Sequence, residues 1–193
     1  ALALDLTMLV ALGSIAAQQN NPTKKTLSEI TWLLDYCVSH PDETIRYHKS
    51  DMVLWTASEA LYLSENKAQS RAARIFFLSN NLRDPTQPPD KPPTMNGMVY
   101  AMAKIINYVM SSAMAAKVAA TYLTAKEAVP LRIALEEMGH PQPPKPMQVD
   151  NSTAVGFVNE TIKYRRSKAI DMRFHWVRDR VKQNQFLIYW VPG

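Results

Sequence analysis

Residues Ser112 to Asp150 read SAMAAKVAATYLTAKEAVPLRIALEEMGHPQPPKPMQVD, and the order of elements within this stretch decides the fold. Its first part, as far as Met138, is rich in Ala, Leu and Met with its charges set apart, which predicts one long helix. Pro130 lacks a backbone donor and predicts an interruption or bend, and Gly139 ends the helix. Pro141 to Pro146 is a stiff connector, and Met147-Gln148-Val149-Asp150 is then a short strand whose acid lies at its C-terminal end. Further on, Ser152 to Asn159 predicts a short helix, Ser167 to Lys182 a helix of alternating charge, and Phe186 to Trp190 a last strand. Upstream the period is 2: Ile45 to His48, Met52 to Trp55 and Ala73 to Leu78 read as strands, with Val99 to Val109 as another leading into the helix. Asp84 to Asn96 holds five of the 13 prolines and cannot supply a continuous ladder of donors. It is a loop at the sheet edge or a ligand for a proline-recognition domain. Antiparallel strands followed by helix, strand, helix, strand make a mixed α/β pattern.

Two helices precede the strands. Leu4 to Gln18 places Leu6, Leu9, Val10, Gly13 and Ala17 on one helical face, and Asn20-Asn21-Pro22 breaks the pattern. Thr23 or Thr26 caps a second helix carrying Leu27, Ile30, Leu33, Leu34 and Cys37, which ends at Ser39-His40-Pro41. The run Leu6 to Ala17 is as apolar as a signal-peptide core but has no basic lead-in, and it falls short of the ~20 residues a bilayer span needs. No membrane is expected as a partner. The chain starts at Ala1 and stops at Gly193 directly after a strand, so it reads as a fragment.

Lys and Arg number 22 against 17 Asp and Glu, a net +5 with a pI near 9.3, which permits a polyanionic partner without requiring one. Cys37 is the single cysteine, so an internal disulfide is excluded and a thiolate zinc site disfavoured. A reducing, intracellular compartment and a buried spectator role for Cys37 are expected. His40, His48, His140 and His175 lack metal-ligand spacing, and the five glycines form no phosphate loop. The segment Lys163-Tyr164-Arg165-Arg166-Ser167-Lys168 interleaves four cations with an aromatic. That suits phosphate contact with base stacking, and equally a solvated turn before a helix. Asp171, Arg173, Arg178 and Asp179 are expected to pair along the helix face or to support neighbouring elements, and the ten methionines to fill the core.

Four stretches carry a resemblance. They are Asn21-Pro22-Thr23-Lys24 with Leu33-Leu34-Asp35-Tyr36; Ser70-Arg71-Ala72 before Ile75-Phe76-Phe77-Leu78; Val149-Asp150-Asn151-Ser152-Thr153-Ala154; and Lys168 through Asp179. In this order they resemble the C-terminal part of a copia-type retrotransposon polyprotein. The resemblance implies the helical end of a reverse transcriptase, its connection segment, over residues 1–43. Over 44–193 it implies a ribonuclease H-like domain, a mixed sheet flanked by helices and truncated at its C-terminus. It further implies degradation of RNA in RNA–DNA hybrids with Mg²⁺ or Mn²⁺, and the remainder of the polyprotein as a partner.

Such chemistry needs a cage of carboxylates to hold two divalent cations, and the resemblance implies four acids. The first matches Glu59 in Ser58-Glu59-Ala60, where an aspartate is expected. The extra methylene moves the carboxylate by roughly 1 Å, and misplacement on that scale can cost about a hundredfold. The second position holds Lys117, a cation where an acid is implied. A unit pair at about 4 Å is worth roughly 4 kcal/mol at an effective dielectric of 20, and a divalent ion doubles the repulsion. Asp150 matches the third acid, and the fourth would lie beyond Gly193. Glu59, Lys117 and Asp150 together carry a formal −1, so cleavage is expected to be lost, with no ion or one weak ion on Glu59 and Asp150. The alternative for Asp150 is a cap on the helix that follows it. The rival functions are a non-catalytic nucleic-acid-binding or host-recruited module, and a decayed reading frame without a selected role.

Overall fold

The computed structural model describes residues 8–42, 44–82, 84, 88–89, 93–94, 96–160 and 172–191. Two helices open it, α1 (Met8–Ala17) and α2 (Lys24–Ser39). Both threonines expected to cap α2 do so together: Thr23 Oγ1 accepts from the Thr26 amide, and Thr26 Oγ1 accepts from the Thr23 amide. Thr26 is buried because its hydroxyl also donates to Gln18 Oε1 at 2.8 Å, which ties the two helices together.

The sheet follows: β1 (Val53–Glu65), β2 (Gln69–Ser79), β3 (Met98–Ile105), then α3 (Ala113–Glu137), β4 (Lys145–Val149), α4 (Ser152–Val158), α5 (Met172–Lys182) and β5 (Phe186–Trp190). Its strand order is β3-β2-β1-β4-β5. The first three strands are antiparallel, while β4 runs parallel to both β1 and β5. This is the expected mixed sheet with flanking helices, preceded by a two-helix segment. Alternation along β1 sends Leu54 into a core with Phe76, Val118, Ala125, Met147, Val149, Phe157, Val177 and Ile188. The other face sends Val53 and Trp55 against Phe77 and Tyr189. No helix among the described residues is long and apolar enough to cross a membrane.

Several boundaries differ from expectation. β1 extends far beyond Trp55, through Ala57-Ser58-Glu59-Ala60, because pairing with β2 on one side and β4 on the other outweighs weak strand propensity. Ile45 to His48 lies in no strand. Its backbone is satisfied by a side chain instead: the His48 amide donates to Asn96 Oδ1 at 2.7 Å and Asn96 Nδ2 donates to the His48 carbonyl at 2.9 Å. Gly97 permits this approach, since a Cβ there would sit 2.7 Å from the Arg46 carbonyl oxygen. Helix α3 continues through Pro130 as one element. β3 ends at Ile105, and no helix begins until Ala113. The proline-rich loop, the start of the first helix and the 167–171 part of the last lie largely or wholly outside the described residues.

The sheet also buries cations that its alternating pattern does not announce. Arg71 is buried on β2, where Nε pairs with Glu65 at 2.6 Å and Nη1 donates to the Ala103 carbonyl. Helix α1 lies over this guanidinium at Gly13, where a Cβ would come within 2.6 Å of Nη1. Arg74 donates to Met102 Sδ at 2.8 Å and lies 3.6 Å from Glu127.

Candidate functional site

The parallel register of β1 and β4 pairs Ser58 with Val149, so the next residues, Glu59 and Asp150, emerge at neighbouring points of the sheet. Helix α3 packs across β1, and its Ser112 cap, whose Oγ accepts from the Ala115 amide, starts the helix so that Lys117 reaches the same place. Lys117 Nζ donates to Glu59 Oε1 and, at 2.5 Å, to Asp150 Oδ2. The lysine side chain is 13% exposed, Asp150 29% and Glu59 45%, so the triad sits at the surface with its cation innermost. Glu59 Oε1 also accepts from the Ala60 amide.

Asp150 does not cap the following helix. That position is filled by Asn151, whose side chain accepts from the Ala154 amide at 2.8 Å. The difference is one residue of register: the asparagine carries the extended backbone of a cap, leaving the aspartate free to face Lys117. Asp150 Oδ1 is buried with no hydrogen-bond partner among the described residues, and Trp190 Nε1 donates to the Asp150 carbonyl at 3.1 Å. A cleft of about 190 Å³ lies alongside, lined by Ala57, Glu59, Ala73, Ile75, Gln148 and Asp150 among others.

This donor set does not fit a pair of divalent ions. The ammonium of Lys117 stands between the two carboxylates that would have to share the ions, and it already engages one oxygen of each. No group of three or more His, Cys, Asp or Glu side chains converges among the described residues.

The basic segment Lys163, Arg165, Arg166 and Lys168 lies outside the described residues, as does Asp171. Later in the sequence, Arg178 pairs off its own helix with Glu160, while Asp179 accepts from Gln183 one turn along. Lys182 and Arg178 hold the Glu160 carboxyl below the usual carboxylate range. Cys37 is only half-buried, with its thiol 3.3 Å from Met8 Sδ, so it is less enclosed than expected. His40 stacks on Tyr36 at the end of α2.

Two features escaped sequence reasoning. Lys145 opens β4 fully buried, its Nζ donating to the Ala128 carbonyl at 2.8 Å, and burial lowers its pKa well below the ordinary lysine value. Trp190 reads as one more strand residue, yet its indole borders Asp150. A lysine between prolines and an aromatic at a strand end were the available signals, and both are weak.

The strand order β3-β2-β1-β4-β5, with α3 packed across β1, is the mixed sheet with flanking helices that the sequence leads one to expect. Over 172 residues, 89% of its length, the chain is 23% identical to the retrovirus-related Pol polyprotein from transposon TNT 1-94 of Nicotiana tabacum. The resemblance to copia-type polyproteins carried by the four motifs therefore holds across nearly the whole chain, which spans 12% of that polyprotein's length. No protein-family model matches the chain. Two solved structures align more loosely. Ribonuclease H1 from the halophilic archaeon Halobacterium salinarum NRC-1 is 10% identical over 72% of this chain and 85% of that one, with a TM-score of 0.45. LC11 ribonuclease H1, isolated from compost by a metagenomic approach, is 8% identical over 73% and 85%, with a TM-score of 0.48.

Proposed function

We propose that this chain is a ribonuclease H-like domain of a retroelement polyprotein that binds RNA–DNA hybrids and does not cleave them, with residues 1–43 forming the end of the preceding reverse transcriptase. The observation that carries the reading is the Lys117 ammonium held between Glu59 and Asp150. In active relatives divalent metal would supply an activated water and stabilise the departing oxygen. Here Lys117 supplies fixed positive charge at that place. It offsets the repulsion between the two carboxylates, and as a compact ammonium it cannot bring and orient a water nucleophile as a coordinated ion does. Glu59 and Asp150 are thereby remnants of a catalytic set, and at most one ion binds them weakly.

The test is a Mg²⁺ or Mn²⁺ titration of the purified chain with an RNA–DNA hybrid, following binding and cleavage together. Binding without metal-dependent cleavage is the expected result. Turnover that disappears in Asp150→Asn would overturn the non-cleaving reading.

Affinity in this reading comes from Lys163, Arg165, Arg166 and Lys168, because phosphate contacts depend on cations and not on the acids at Glu59 and Asp150. Measured at several salt concentrations, the double substitution Arg165→Ala with Arg166→Ala should weaken hybrid binding uniformly. The slope of log affinity against log salt should become shallower by about 0.9 for each phosphate that is no longer neutralised. An unchanged slope and affinity would remove the segment from the binding surface.

A further inference from the structure

Along β5, Phe186, Ile188 and Tyr189 are almost fully buried, while Trp190 at the strand's end is 49% exposed. A scattered exposed apolar residue ordinarily needs no explanation. Trp190 differs in being held from both sides. Its backbone is paired in register with Val149, the next amide, of Val191, donates to the Val149 carbonyl at 3.2 Å, and its indole N–H donates to the Asp150 carbonyl at 3.1 Å. The indole N–H is therefore already taken by the protein's own backbone, and what the half-exposed ring offers outward is aromatic surface. That surface adjoins Asp150, whose carboxylate is engaged by Lys117, so it borders the candidate site.

From this geometry we infer that Trp190 is a stacking platform for an unpaired nucleobase, so that the domain prefers a nucleic acid presenting a single-stranded extension beside a duplex. The inference rests on the nucleic-acid-binding reading above and deepens it. A base offers a flat apolar face of matching size, and the pinned indole loses little freedom when it stacks. In a duplex interior the bases already stack on one another, so the platform is useful only at an end or a junction. Stacking also involves no displaced counterion. Its contribution should leave the salt slope unchanged, unlike that of the basic segment.

The experiment compares a blunt RNA–DNA hybrid with the same hybrid carrying a single-stranded DNA extension, at several salt concentrations. The parent chain should bind the extended hybrid about tenfold more tightly, with quenching of indole emission. Trp190→Ala should abolish the preference while leaving affinity for the blunt hybrid and the salt slope intact. Trp190→Phe keeps an aromatic packing unit, so it should retain much of the preference but lose the quenching assigned to this indole. It also decides the matter where Trp190→Ala fails to fold. A preference that survives in Trp190→Ala, equal weakening of both hybrids, or quenching unchanged in Trp190→Phe would each overturn the inference. A parent chain that binds neither hybrid would overturn the nucleic-acid reading first, and the platform with it. A parent that binds both equally would overturn the platform alone.

Discussion

Lys117→Glu should lower the melting temperature of the metal-free chain by several degrees and make it respond to added Mn²⁺. The substitution replaces an ammonium that engages Glu59 and Asp150 with a third carboxylate. Near a protein surface, each like-charge pair at about 4 Å would cost roughly 4 kcal/mol at an effective dielectric of 20. Glu59 is 45% exposed and Asp150 29%, so solvent screens much of this, and about 2 kcal/mol is a reasonable net loss. For a domain of this size that corresponds to roughly 4–8 °C. The three carboxylates then form an oxygen-only set of the kind a divalent cation takes, and saturation at about 100 times the dissociation constant would return roughly 2.7 kcal/mol. Lys117→Met separates the two parts of the argument, since it removes the cation without adding an anion and should fall between parent and Lys117→Glu. Thermal melts of the three proteins with and without Mn²⁺ are the measurement. A metal-free melting temperature that rises on Lys117→Glu would refute the proximity of these charges in solution.

The triad was legible in the sequence to an unusual degree, because each member occupies a position fixed by pattern: a strand triplet, a serine-capped helix and a strand end. Glu59 and Asp150 come together through the parallel pairing of β1 with β4 across about 90 residues of chain, which no local signal encodes. The motif order carried that information instead. Local chemistry failed where tertiary pairing overrode propensity, as in the Ala-rich middle of β1, and where a side chain replaced a ladder, as Asn96 does beside His48. The alternative of Asp150 as the cap of α4 is ruled out by one residue of register: aspartate and asparagine are equally good caps, and the backbone geometry gives the position to Asn151. Buried cations were the least legible features. Arg71 and Arg74 fall within β2 and Lys145 opens β4 between two prolines, places where a cation is ordinarily exposed, yet each is enclosed.

Lys145→Met should raise stability at neutral pH and flatten its dependence on pH. Lys145 is fully buried and its ammonium donates to one acceptor among the described residues, the Ala128 carbonyl, with the Phe186 ring 6.0 Å away. An ammonium has three protons to satisfy, so burial here is poorly compensated. Desolvation is the main cause of its lowered pKa; Arg132 adds to the lowering and Glu136 opposes it. The sign follows from proton counting. Between the folded pKa and the ordinary value near 10.5, the unfolded chain holds a proton on this lysine that the folded chain has released, so stability rises with pH across that window. Below the folded pKa both states are charged and the full cost of burying the cation is present. Tyr189 acts in the opposite direction at higher pH: burial raises its hydroxyl to about 12, so stability is lost as pH climbs from 10 toward that value. The lysine effect is therefore read below pH 10. Methionine fills a similar volume with an unbranched apolar chain; replacing buried ion pairs by apolar residues of similar volume ranges from neutral to stabilising by about 1–4 kcal/mol, and a gain within that range is expected here. The Ala128 carbonyl lies within α3, and the residue four positions on is Arg132, which unlike Pro130 keeps its backbone donor, so the carbonyl tolerates the loss. Denaturant titrations of both proteins from pH 6 to pH 10 should show Lys145→Met more stable at the acid end, and the difference should shrink as pH rises. A variant less stable than the parent at every pH would mean that the hydrogen bond to Ala128 outweighs the cost of burying the charge.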